Sequence, residues 1–124
     1  MSKNYREVIR STSACLTKLR PGMPDVAKGF GAMAQGAIKA GVLDSKTKEL
    51  IALALGVAAR CDACIGFHVQ ALIRLGVRRE EIEETLGVAV YMGGGPSLMY
   101  AADALAAFEE LSSPEIATAA PQAA

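Results

Sequence analysis

Two cysteines and the chain's only histidine fall within the segment Cys61-Asp62-Ala63-Cys64-Ile65-Gly66-Phe67-His68. An α-helix turns about 100° per residue, so on a helix Cys64 lies about 60° and His68 about 20° from Cys61 in rotation. All three side chains then leave one face within two turns. Cys61 and Cys64 form an i, i+3 pair that can close a disulfide at a helix start. Cys64 and His68 form an i, i+4 pair that can set an imidazole against a thiol. The chemistry this suits is thiol redox. The reactive species is the thiolate, and an ordinary cysteine, with a pKa of about 8.5, is mostly protonated at neutral pH. A helix N-terminus, a second thiol that can donate to the first, and a nearby base all favour the thiolate. Once one sulfur is oxidised to sulfenic acid, the other can condense with it. The resulting disulfide must be reduced by an external dithiol.

Glu49 joins this group only if the chain turns back on itself. In one continuous helix it would lie about 18 Å from Cys61 along the axis. A reversal near Arg60 makes the flanking helices an antiparallel hairpin and returns Glu49 to a position a little beyond His68. The residual offset is about one helical turn, which a Glu side chain and one water can span. A carboxylate there orients an imidazole and raises its basicity. The same residues admit blander readings. The spacing also suits three ligands of a zinc site, although Asp62 is badly placed to be the fourth. It suits, too, two buried thiols beside an ordinary half-exposed histidine. Glu49 alone reads as a solvated first-turn acid.

The elements that must position these residues read as helices throughout. Tyr5, Ile9, Thr12, Leu16 and Leu19 mark one face of a first helix, which Pro21-Gly22 ends. A second helix opens at Pro24 and runs to Ala40, with Gly41 as its stop and with Gly29, Gly31 and Gly36 inside it. Asp44 or Ser45 caps a third. Its apolar run Ile51 to Ala59 is apolar nearly all round, which predicts deep burial. Cys61 to Leu75 makes a fourth, with Phe67, Ala71 and Leu75 on one face and Gly76 as C-terminal cap. Arg79-Glu80-Glu81 opens a fifth, carried by Ile82, Leu86 and Val90 to the Gly93-Gly94-Gly95 break. Pro96 begins a sixth, to about Leu111. The expectation is an all-α fold: one helical domain over 1–111, a bundle of about six helices, with a flexible Ala/Pro tail over 112–124. No stretch alternates apolar and polar residues between turn signals, so no sheet is expected.

Composition narrows the function classes. Among 124 residues, 13 Lys+Arg balance 13 Asp+Glu, for a formal net charge of zero. With no basic block, this argues against nucleic acid or a membrane surface as partner. Hydrophobic residues are 52% and charged residues 21%, which excludes a disordered chain. Aromatics are 5% and Trp is absent, against base-stacking platforms. No signal-peptide pattern opens the chain, and a cytoplasmic protein is expected. Three cysteines in such a chain do not suggest a disulfide framework. Cys15 reads as packing on the first helix. Thr85 to Ala102 carries no charge and is broken by glycines, so it reads as interior or subunit interface. Tyr91 and Tyr100 flank that break and read as core. Gly93-Gly94-Gly95-Pro96 lacks the Lys-Ser/Thr of a phosphate loop and reads as a helix stop followed by a helix start.

Taken together, Leu43-Asp44-Ser45-Lys46-Thr47-Lys48-Glu49-Leu50-Ile51-Ala52-Leu53-Ala54, then Cys61-x-x-Cys64-x-x-x-His68, then Met92-Gly93-Gly94-Gly95-Pro96 resemble the alkylhydroperoxidase D-like family. That family belongs to the carboxymuconolactone decarboxylase superfamily, and the resemblance covers roughly residues 22–110. It implies an all-helical, trimeric or hexameric protein that reduces hydrogen peroxide or organic hydroperoxides with electrons from an external dithiol or redox protein. It also implies roles: Cys64 attacks the peroxide, Cys61 resolves, and His68 and Glu49 form the proton relay. No metal or other cofactor is implied. Well-known members carry a second histidine directly before the second cysteine, where this chain has Ala63, so the implied relay has one imidazole fewer. Decarboxylase members generally lack the cysteine pair, which argues against a lyase on the same scaffold. A non-enzymatic, redox-responsive scaffold oligomer is the third alternative.

Overall fold

The structure, a computed structural model, describes residues 3–114. Six α-helices follow one another: α1 (Tyr5–Leu19), α2 (Pro24–Ile38), α3 (Ser45–Ala58), α4 (Asp62–Arg74), α5 (Arg79–Gly93) and α6 (Gly95–Ser112). A 3-10 turn, Arg20–Gly22, joins α1 to α2. No strand occurs among the described residues. Beyond Pro114 the expected tail lies outside them.

Local chemistry explains the helix ends. Asn4 Oδ1 accepts from Glu7 N at 2.9 Å and caps α1, while Glu110 of α6 accepts from the next free amides, Tyr5 N at 2.7 Å and Arg6 N at 3.0 Å. The Arg6 guanidinium in turn donates to Ser113 O, so α1 and the end of α6 are tied at several points. Asp44 caps α3 by accepting from Thr47 N at 2.7 Å, which holds its carboxyl below the usual carboxylate range. Gly76, at φ 77°, follows α4 in the left-handed region, as a C-terminal stop requires. Gly94, at φ 74°, separates α5 from α6. The glycine run is thus a helix junction, and a Cβ on Gly93 would collide there with Ser97 of α6.

The core is shared by α3, α4, α5 and α6, with α1 laid across α4. Leu53 and Val57 of α3, Ile65, Val69 and Leu72 of α4, Ile82 and Leu86 of α5, and Ala101, Ala104 and Ala107 of α6 meet there together with Tyr5. The three alanines let α6 approach closely. The face of α4 that enters this core is not the one carrying Phe67, Ala71 and Leu75. Those three lie at its margin or outside it.

Several expectations fail on packing. The second helix ends at Ile38 rather than Ala40, because Lys39 turns extended at ψ 136° and its carbonyl accepts from Lys48 Nζ at 2.6 Å. Far from deep burial on all sides, α3 leaves Ile51 and Leu55 exposed. Cys15 is exposed, because the last turns of α1 present Ala14, Cys15, Thr17, Lys18 and Leu19 to solvent. Tyr91 is 84% exposed and not core, whereas Tyr100 packs against the core. Val88, Met92, Leu98 and Met99 are exposed as well, so much of the uncharged stretch lies outside the chain's own interior. No residue of α2 is buried, and Val26, Phe30 and Met33 stand out from it.

Candidate active site

The hairpin of α3 and α4 builds the site. It turns through Ala59, Arg60 and Cys61. Arg60 takes φ 57°, and Cys61 N donates back to Gly56 O at 3.0 Å. A positive φ on a non-glycine residue costs about 1–2 kcal/mol and persists only where the surroundings enforce it. This is the expected reversal at Arg60, and it sends α4 back along α3.

Cys61 occupies the N-cap of α4, and its sulfur accepts from Cys64 N at 3.2 Å. The sulfurs of Cys61 and Cys64 are within disulfide-bonding distance, with Cα atoms 5.2 Å apart. That separation is ordinary for a disulfide. Both residues are partly exposed.

His68 follows Cys64 by four residues, so their Cβ atoms are neighbours on one face of α4. Its Nδ1 donates to Glu49 Oε1 at 2.6 Å. With Nδ1 engaged as donor, the neutral ring presents Nε2 as its free basic nitrogen. The Glu49 side chain is only 9% exposed and that of His68 31%. A buried carboxylate needs a charge-assisted partner, and His68 supplies it. The neighbouring lysines are used elsewhere: Lys46 pairs with Glu81 at 2.8 Å and Lys48 holds Lys39 O. Glu49 was expected to reach His68 through a water; the contact is direct. Gly56 accounts for the tighter approach, because a Cβ there would meet Cys64 Cβ at 3.1 Å. Glu49 and Gly56 lie seven residues apart, two turns on one face of α3.

All four candidate residues therefore lie on the facing surfaces and shared turn of one helix pair: Glu49 bonded to His68, Cys61 paired with Cys64. Among the described residues, no group of three or more His, Cys, Asp or Glu side chains is arranged to hold a metal ion.

A model of the carboxymuconolactone decarboxylase family matches residues 24–107. The chain belongs to that family. A carboxymuconolactone decarboxylase family protein from Legionella pneumophila, solved in its apo form, superposes with a TM-score of 0.86 at 57% identity, covering 88% of this chain and 97% of the other. A family protein from Thermotoga maritima, described with a possible involvement in antioxidative response, superposes at a TM-score of 0.75 and 30% identity, covering 85% of this chain and 89% of that one. An uncharacterised protein of Cupriavidus necator is 38% identical, over 77% of this chain and 96% of its own length. The residues matched by the family model include the helix pair that carries the site.

Two structural roles were not read from the sequence. Gly56 breaks a run of strong helix formers, and a lone glycine in such a run often marks close packing. Asp62, dismissed as a zinc ligand, accepts from Tyr5 OH at 3.0 Å and from Lys3 Nζ at 2.9 Å. Nothing local signals that contact, since Tyr5 lies 57 residues away.

Proposed function

We propose that this chain is a thiol peroxidase that reduces hydrogen peroxide or organic hydroperoxides through a Cys61–Cys64 disulfide cycle. One observation carries the proposal: a buried carboxylate bonded at 2.6 Å to an imidazole that stands one helical turn from a cysteine of a disulfide pair. The Cys64 thiolate attacks a peroxide oxygen and the O–O bond breaks. The sulfur becomes a sulfenic acid, and the departing oxygen takes up a proton and leaves as alcohol or water. Cys61 then attacks the Cys64 sulfur, forms the S–S bond and releases water. The two thiols thus supply the two electrons that reduce the peroxide. An external dithiol, free or on a redox protein, restores the pair by exchange and leaves as its own disulfide.

His68 serves as the base that receives the thiol proton at Nε2 and returns it to the departing oxygen. Glu49 fixes the tautomer and stabilises the charged ring while the proton is held. Ala63 places no second imidazole beside Cys64, so proton transfer rests on this single relay. We place the activity in the cytoplasm, where dithiol donors are maintained; among the described residues no helix is long and apolar enough to cross a membrane. The exposed Val26, Phe30 and Met33 of α2, with Tyr91, Met92, Leu98 and Met99, support assembly into a trimer or hexamer.

The test is peroxide consumption with dihydrolipoamide as donor, in wild type and Cys64→Ser. The proposal requires the variant to lose turnover, and equal rates remove Cys64 from the mechanism. A lyase on this scaffold would instead keep its activity in a Cys61→Ser, Cys64→Ser double variant.

A further inference from the structure

Next to the N-cap sulfur, the first helical residue of α4 is an acid. A carboxylate in the first turn competes with a Cys61 thiolate for the positive end of the same helix. Asp62 is not left free to do so. Its Oδ1 accepts from the phenol of Tyr5 at 3.0 Å and from Lys3 Nζ at 2.9 Å. Lys3 also reaches Asp103 Oδ2 of α6 at 2.7 Å and lies over the Tyr100 ring, 4.4 Å from its centroid. Tyr5 is 1% exposed, and its ring sits against Gly66, where a Cβ would meet Cδ1 at 3.5 Å. Burial, then the bond to Asp62, hold the phenol above the ordinary tyrosine range. Burial opposes the charge on Lys3, but its bonds to Asp103 and Asp62 outweigh it and hold the ammonium above the usual lysine range. Both donors therefore keep their protons at neutral pH.

We propose that Asp62, held by Tyr5 and Lys3, is a positioning residue that sets the reduction potential of the Cys61–Cys64 couple. The inference rests on the redox reading of that pair. The relevant step is exchange with a dithiol: the Cys61–Cys64 disulfide becomes one thiolate and one thiol, the dithiol becomes a disulfide, and one proton is released. The charged and titratable groups around the first turns of α4 are Lys3, Tyr5, Asp62, Tyr100 and Asp103, with Arg60 in the turn before it and the Glu49–His68 pair one turn beyond Cys64; the substitutions below leave those last three unchanged. Within the linked cluster, Lys3 (+1), Asp62 (−1) and Asp103 (−1) sum to −1. Removing Lys3 leaves −2, which disfavours the thiolate and stabilises the disulfide. Removing the Asp62 charge leaves zero, which favours the thiolate and makes the couple more oxidising.

The test is the equilibrium of the pair with glutathione, with peroxide left out, in Lys3→Met, Tyr5→Phe, Asp62→Asn and Lys3→Arg, each checked for native helicity. Charge effects at a helix terminus are about two- to fivefold in an equilibrium constant, or about 10–20 mV at 29.6 mV per decade. Asp62→Asn moves the potential up by this amount, Lys3→Met moves it down, Tyr5→Phe moves it down by less, and Lys3→Arg restores the wild-type value. Loss of an anchor alone would move every variant the same way, and that result, or no movement, overturns the inference while leaving the peroxidase proposal standing. A wild-type pair that exchanges with neither glutathione nor dihydrolipoamide overturns both.

Discussion

Replacing Gly56 with alanine probes how closely α3 and α4 must approach to assemble the site. The added Cβ would sit 3.1 Å from Cys64 Cβ, 3.7 Å from Ile65 N and 3.8 Å from Cys64 C. Carbon atoms rest comfortably at about 3.5–4.0 Å, so the shortfall at Cys64 is about 0.4–0.9 Å. Cys64 cannot rotate away, because a Cβ does not move with its side chain and the sulfur is tied to Cys61. The backbone of α4 must therefore back off by about half an ångström. Overpacking of this kind costs about 1–3 kcal/mol, offset by about 1 kcal/mol of better helix propensity. A control separates the two terms. Gly87 also lies within a helix, and a Cβ there meets nothing within 4 Å. Gly87→Ala should stabilise by about 1 kcal/mol, leaving the variants about 1–3 kcal/mol apart in urea unfolding. Peroxide turnover should fall about tenfold in Gly56→Ala and stay unchanged in Gly87→Ala, since a misplacement of about 1 Å costs about 100-fold. If Gly56→Ala stabilises as much as Gly87→Ala and keeps full turnover, close approach of the two helices is not what builds the site.

Other consequences follow from the same geometry. Glu49→Gln removes the carboxylate charge but keeps the shape, and should lower kcat/KM for peroxide about 10- to 100-fold while peroxide still oxidises the cysteine pair in a single turnover. Leu53, fully buried in α3, should cost about 2–5 kcal/mol on Leu53→Ala in chemical denaturation; a cost below about 1 kcal/mol would contradict the core described above. Because the folded state raises the Tyr5 phenol above its ordinary value of 10.0, the stability it contributes is complete below that pH and is lost as pH rises. Tyr5→Phe should therefore lose less stability than wild type between about pH 9 and pH 11. Phe30→Asp, on a helix with no buried residue, should leave the bundle folded by circular dichroism and shift the particle to monomer in light scattering; an unchanged particle mass would remove α2 from any subunit contact.

Helix number and most helix ends were legible in the sequence because their determinants are local. Pro24 at a first turn, Asp44 at an N-cap and Gly76 after a last turn act within four residues of where they stand. The reversal at Arg60 was legible for a different reason: the cysteine–histidine segment and Glu49 make chemical sense together only if the chain turns there. What failed was burial. An apolar face announces that something covers it, not whether the cover is the same chain. Ile51, Leu55 and Tyr91 looked like interior for that reason, and the structure leaves them exposed. The two contacts that tighten and tether the site were illegible because each depends on a partner helix. Gly56 matters only opposite Cys64, and Asp62 only once α1 has laid Tyr5 across α4.

The most direct measurement counts thiols against peroxide. Reduced protein, freed of donor, is given a limiting amount of hydrogen peroxide, and the cysteines are mapped by alkylation and mass spectrometry. One peroxide consumed should convert one chain's Cys61 and Cys64 to a linked peptide, with Cys15 still alkylated, and dihydrolipoamide should return both thiols. Peroxide consumed with Cys61 and Cys64 still free, or oxidation that falls on Cys15 instead, would contradict the account.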